Sequence, residues 1–199
     1  MKLIGIAGGT GSGKSTLAWN IVEHLGKDQA VVLSHDSYYR DQAHMSQEER
    51  DAVNYDHPDS LETDLLVNQL KALKNGETVQ VPVYDFANDT RDLTQTSKVG
   101  PRPYILVEGI LILSEPALMG LFDLSVFVDV PADTRLIRRL RRDVKTRGRT
   151  WQYTVDSWEK FAQPMHNQFV EPSKHLADVI VPEGGKNQAG IHKVLELIK

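Results

Sequence analysis

Residues 8–16 read Gly8-Gly9-Thr10-Gly11-Ser12-Gly13-Lys14-Ser15-Thr16, a pattern whose residue types and spacing suit the cradling of a polyphosphate. The glycines let the backbone bend so that successive N–H groups point inward at the anion. Lys14 would reach the β and γ phosphates, and the Ser15 hydroxyl would hold Mg²⁺. Two acids lie where such a loop needs them. Asp36 follows a short apolar run and could take the proton of a substrate hydroxyl as that hydroxyl attacks the γ phosphate; capping of the next turn is its plainer role. Glu108 closes a second apolar run and would hold Mg²⁺ directly or through water. Between Arg135 and Arg149 stand eight of the chain's 23 basic residues, a density that suits a lid over 135–150 supplying fixed cations to the phosphate in transfer. An RNA-binding stripe or a solvated helix face competes for the same run, and Arg135 and Arg141 fit one or other of those plainer readings.

These groups need a scaffold that brings distant segments to one edge. Leu3-Ile4-Gly5-Ile6-Ala7 reads as a buried strand before the loop, and Ser15 to Leu25 as the helix after it, its positive end facing the anion. Ala30 to Ser34, Tyr104 to Gly109, Leu124 to Val130 and Asp178 to Val181 read as further strands, and Pro131 and Asp133 open a helix. Ligands in such sheets bind at the carboxyl edge, where Asp36 and Glu108 fall. Leu61, Leu65, Leu66, Leu70 and Leu73 recur at helical spacing, with Ser60 or Asp59 as the cap and Asn75-Gly76 as the stop. Thr78 to Tyr84 and Thr94 to Val99 form a hairpin (78–100) around a polar turn at Asn88-Asp89-Thr90, and Pro82 keeps it outside the main sheet. Tyr84 and Phe86 near its tip either stack on a flat ligand or pack against the domain body. Residues 151–170 are helical with a kink at Pro164, and a closing helix runs from Ile191 to Lys199. The predicted class is α/β, a P-loop NTPase fold with a central parallel sheet flanked by helices, a small β-hairpin and an Arg-rich helical lid, in one domain over 1–199.

Bulk properties narrow the options. A chain of 199 residues is long enough to bury one α/β core. Its net charge of −4 argues against a general nucleic-acid binder. With no cysteine, disulfides and thiolate metal sites are excluded. The apolar N-terminal stretch is too short for a secretory signal, and no run reaches membrane-spanning length, so we expect a cytoplasmic protein without a membrane partner.

Beyond the phosphate loop, the stretches Ser34-His35-Asp36-Ser37-Tyr38-Tyr39-Arg40, Tyr55-Asp56-His57-Pro58-Asp59, Val81-Pro82-Val83-Tyr84-Asp85-Phe86, Glu108-Gly109-Ile110-Leu111, Ala132-Asp133-Thr134-Arg135, Arg147-Gly148-Arg149 and Ala177-Asp178-Val179-Ile180 recur in one family. With them the chain resembles the uridine–cytidine kinases, within the wider uridine kinase and phosphoribulokinase group, along nearly its whole length. The resemblance implies transfer of the γ phosphate of ATP or GTP to the 5′-hydroxyl of a pyrimidine ribonucleoside. It makes Asp36 the general base and gives Mg²⁺ to Ser15 and Glu108. Asp56 and Arg149 would hold the ribose hydroxyls with Arg139 nearby, Tyr84 and Phe86 would flank the base with Tyr39 on the same substrate side, and Arg142 and Arg147 would clamp the triphosphate. It also implies a five-stranded parallel sheet and a homotetramer.

Two positions depart from the family pattern. Asp89 stands where many members carry a His that hydrogen-bonds the 4-position of the base, and Ser157 stands where a Gln is common. An ionised Asp only accepts hydrogen bonds, so it favours the 4-amino group of cytidine over the 4-carbonyl of uridine. A kinase for another ribose-bearing metabolite, such as nicotinamide riboside or a sugar phosphate, would keep the phosphate loop, Asp36 and Glu108 and change the base contacts. A GTPase switch needs an Asn-Lys-x-Asp reader and an Asp-x-x-Gly switch, and the chain has neither. A non-catalytic nucleotide-binding regulator would be marked by loss of the base or the Mg²⁺ acid, and both are present.

Overall fold

The computed structural model describes residues 1–199. In chain order its elements are β1 (Lys2–Ala7), α1 (Lys14–Leu25), β2 (Ala30–Ser34), α2 (Gln47–Asp51), α3 (Thr63–Lys74), β3 (Val79–Asp85), β4 (Thr90–Val99), β5 (Tyr104–Glu108), α4 (Pro116–Met119), β6 (Leu124–Asp129), α5 (Ala132–Thr146), α6 (Trp151–Ser157), β7 (Val179–Pro182) and a closing helix, Gln188–Leu197. The chain divides into two compact units, Met1–Leu33 with Arg102–Lys199, and Ser34–Pro101.

The first unit is built on a five-stranded sheet of order β2-β5-β1-β6-β7. β1 pairs in parallel with β5, Leu3 opposite Ile105 and Ile4 opposite Leu106, and with β6, Ile4 opposite Leu124. Leu3, Ile4, Ile6, Ile105, Leu106, Val107, Val126 and Val128 are all buried, because helices cover both faces of a parallel sheet. α1 turns Leu17, Ala18, Ile21 and Val22 into this core, where Ile191 and Val194 of the closing helix join them. Burying a side chain such as Leu17 or Ile21 contributes about 1.5–3 kcal/mol each, so the helix that starts at the loop is firmly seated. The closing helix starts earlier than its apolar residues suggest, since the Asn187 side chain accepts from the Gly190 N–H and caps it. After α6 the chain stays helical through Pro164. It widens into π-helical turns at Trp158–Ala162 and His166–Val170, which accommodate the missing N–H groups of Pro164 and Pro172.

The second unit holds a two-stranded antiparallel sheet, β3 with β4, on α3 and a 3₁₀ turn at His35–Tyr38. α3 buries Leu66, Val67, Leu70 and Leu73. Neither Ser60 nor Asp59 caps it. Both lie in a 3₁₀ turn, Pro58–Ser60, and Leu61 beyond it bridges to Tyr39. β4 begins at Thr90 and not at Thr94, because a register shift between Pro82 and Val83 lets Asp92, Arg91 and Thr90 pair with Val83, Tyr84 and Asp85. No helix of the chain is long and apolar enough to cross a membrane.

Candidate active site

In the first unit the loop after β1 is shaped by backbone conformation. Gly13 takes φ 93, a left-handed value that favours glycine, and its carbonyl accepts the first helical N–H, from Leu17, at 2.9 Å. No side chain caps α1, so its first-turn N–H groups remain available to an anion. Lys14 is buried, and its Nζ lies 3.8 Å from Oε2 of Glu108, itself buried at the end of β5. Ser12 is fully buried and its Oγ has no hydrogen-bond partner in the protein, an unusual expense unless a ligand completes it. The donor set fits a magnesium-bound polyphosphate: a buried ammonium, a carboxylate, the Ser15 hydroxyl and open amides.

Gly9 is closely approached by two side chains. A Cβ there would lie 2.5 Å from Nη1 of Arg135 and 2.9 Å from Nδ1 of His166. Arg135 is therefore no solvated residue; it is 4% exposed, donates from Nε to the Val130 carbonyl at 3.0 Å, and lies 5.2 Å from the Trp158 ring centroid. Its aliphatic stem and the stacked indole offset the burial of the charge. His166 Nε2 lies 3.1 Å from Glu171. Burial holds the His166 pKa below the ordinary histidine value, and the Arg135 charge adds to that while Glu171 opposes it. Arg138 donates to the carbonyls of Ser12 at 3.3 Å and Glu183 at 3.2 Å, which joins α5 to the loop. The arginine run could have indicated this through spacing alone, since Arg135 and Arg138 share one side of a helix; His166 carried no such signal.

Further along the same unit, Arg139 donates to Ser157 Oγ at 3.2 Å, so two of the predicted substrate residues meet. Arg149 stacks over Tyr153 at 4.7 Å. Arg142 and Arg147 turn toward one carboxylate, Asp143. Arg141 is exposed, as expected of a solvated position.

In the second unit Asp36 is half-buried on the 3₁₀ turn just after β2. Its neighbour His35 is buried, with Nε2 3.1 Å from Thr63 Oγ1, and burial pulls its pKa down to about 4 against the opposing charge of Asp36. Tyr38 donates to Gln69 at 2.7 Å, and burial pushes its phenol upward. The predicted aromatic residues form a cluster: Tyr39 to Tyr84 at 5.0 Å and Tyr84 to Phe86 at 5.1 Å between ring centroids. Tyr55, which sequence reasoning did not single out, joins it at 5.5 Å from Tyr39. Its hydroxyl donates to Gln42 at 2.6 Å and approaches the Asp89 carbonyl at 3.4 Å. Asp89 sits at φ 48 in the hairpin turn, a conformation Asp tolerates better than most residues. Arg91 was also missed. It donates to Glu62 at 2.7 Å and to the Tyr39 carbonyl at 2.6 Å, tying β4 to the segment that carries Asp36. Asp56 is buried, its N–H bonded to the Asn54 side chain at 3.2 Å.

The sequence profile of the Phosphoribulokinase / Uridine kinase family matches residues 3–189. The chain belongs to that family. It is 47% identical over 196 residues to a protein of Clostridium perfringens named uridine kinase, covering 98% of this chain and 94% of that one. A uridine kinase of Ligilactobacillus salivarius is 45% identical over 197 residues, covering 99% and 92%. Among solved structures, phosphoribulokinase from Rhodobacter spheroides shares the fold at a TM-score of 0.64 and 15% identity, over 91% of this chain and 69% of that one. The family therefore accounts for the phosphate loop and for the sheet that carries it.

Proposed function

We propose that this chain is a uridine/cytidine kinase that transfers the γ phosphate of ATP, or GTP, to the 5′-hydroxyl of the nucleoside, giving UMP or CMP. The observation that carries phosphoryl transfer is the buried pair of Lys14 and Glu108 at 3.8 Å beside an uncapped helix start. The acceptor class rests on the full-length likeness to uridine kinases and on the aromatic cluster of Tyr39, Tyr84 and Phe86, which suits a flat base. Thr10, Ser12 and the loop glycines, Gly8, Gly9, Gly11 and Gly13, would present amides to the triphosphate, with Thr16 in the first turn behind them. Mg²⁺ held by Ser15 and Glu108 would neutralise charge on the phosphate oxygens.

Asp36 accepts the proton of the 5′-hydroxyl as the oxygen attacks phosphorus. Lys14, Arg142 and Arg147 hold the phosphate oxygens, and Asp56, Arg139 and Arg149 hold the ribose. Asp89 and Ser157 would touch the base edge, where an ionised Asp89 favours cytidine. We assign the protein to the cytoplasm as a homotetramer, in line with the family resemblance. A screen of nucleosides with ATP and Mg²⁺, read as ADP release, tests the assignment. Cytidine and uridine should both support release, cytidine with the higher kcat/KM; a clear preference for uridine removes the Asp89 argument, and inactivity of both removes the assignment.

A further inference from the structure

Between Arg135 and Arg149 the sequence holds a single acid, Asp143, and three arginines of that run turn toward it. Arg142 Nε lies 2.8 Å from its Oδ1, Arg147 Nε 3.7 Å from the same oxygen, and Arg139 Nε 3.4 Å from Oδ2. Its side chain is 6% exposed. Its carbonyl accepts the N–H of Arg147 at 3.1 Å and of Arg149 at 3.2 Å, across the turn where Gly148 takes φ 67. One residue thus fixes both the end of α5 and the directions of guanidinium groups on either side of that end. Stability alone is a weak reason for such an arrangement, since a buried ion cluster is often no better than an apolar one.

We infer that Asp143 is the positioning residue of the arginine cluster. It sets the spacing at which Arg142 and Arg147 meet the triphosphate and aligns Arg139 toward Ser157, at the expense of one unit of the cluster's attraction for a polyanion. This rests on the proposed assignment of Arg142 and Arg147 to the donor phosphates. Removing the charge while keeping the shape should then separate two quantities that unfolding would move together. With the carboxylate gone the cluster carries one more net positive charge, so inorganic tripolyphosphate should bind as tightly or tighter. The guanidinium groups lose their alignment, so turnover should fall.

The test compares the wild-type chain with Asp143→Asn and Asp143→Glu, by kcat with ATP and cytidine and by calorimetric titration with tripolyphosphate at low salt. For Asp143→Asn we expect kcat about 10–100-fold lower, the range for a small misplacement of positioning groups. Its tripolyphosphate Kd should be unchanged or roughly two- to fivefold lower. Asp143→Glu keeps the charge and moves it, so its kcat should be about 3–10-fold lower with Kd within about twofold of wild type. A Kd that rises more than about twofold along with the fall in kcat in either variant marks a purely structural role and overturns the inference, as does wild-type turnover in either. Should Asp143→Asn fail to fold, Asp143→Glu decides alone. Should the wild-type chain transfer phosphate to no nucleoside, the proposed function fails, and the titration judges Asp143 by whether Kd rises.

Discussion

Under the proposed function the two compact units solve different chemical problems by different means. The unit of Met1–Leu33 and Arg102–Lys199 handles charge with backbone and fixed cations: an uncapped helix, left-handed glycines, Lys14 beside Glu108, and arginines arrayed along α5. The unit of Ser34–Pro101 has a small sheet and depends on side chains: an aromatic cluster, the Arg91 tie to Glu62 and Tyr39, and a neutral buried His35 next to Asp36. A polyphosphate is recognised by charge and curvature that many sequences can supply in one way. A nucleoside is recognised by shape and by hydrogen bonds, for which each side chain matters singly.

That contrast can be broken most sharply at Asp36. Asp36→Asn should leave ATP binding intact and lower turnover by roughly 10²–10⁴-fold, the range for loss of a general base; unchanged turnover would reassign Asp36 to a structural role. Second in size is the pH effect of His35 in the Ser34–Pro101 unit. The folded His35 pKa of about 4 lies below its ordinary 6.5, so as pH falls the unfolded chain takes up the proton first. The stability from a neutral His35 is complete above about pH 6.5 and is lost between there and about 4, roughly 3 kcal/mol over the window. Urea unfolding at pH 7 and pH 4.5 should show this loss shrinking in His35→Asn; equal slopes in both proteins would contradict it.

Smaller again is Gly9→Ala in the phosphate-binding unit. The added methyl meets Arg135 and His166, and overpacking of this kind costs about 1–3 kcal/mol, visible as a lower denaturation midpoint together with a raised KM for ATP. A variant with wild-type midpoint and KM would show that both side chains can move aside. The smallest effect sharpens acceptor choice. Asp89→His should shift the cytidine-to-uridine ratio of kcat/KM toward uridine by about tenfold, the scale of one polar contact, and no shift would take Asp89 away from the base edge.

The same contrast explains what could be read in the sequence. The parallel sheet was legible because Leu3 to Ala7, Ile105 to Glu108 and Leu124 to Val128 are buried on both faces and so are nearly continuous apolar runs. The loop was legible because glycine and lysine spacing there is a direct print of backbone geometry. The start of β4 was hidden because Thr90, Arg91 and Asp92 look like turn residues, yet they pair through a register shift. Arg135 was misjudged as solvated since a charge reads as exposed until a stacked Trp158 and a carbonyl acceptor are known. Tyr55 and His166 belong to contacts between segments far apart in the chain, which no local period records.

Incubation with γ-labelled ATP, Mg²⁺ and cytidine, followed by identification of the labelled product, tests the account most directly. We expect the label on the 5′ oxygen of the nucleoside, in CMP, with loss of that product in Asp36→Asn. Label found only in inorganic phosphate, or on a different acceptor while cytidine and uridine remain unlabelled, would contradict it.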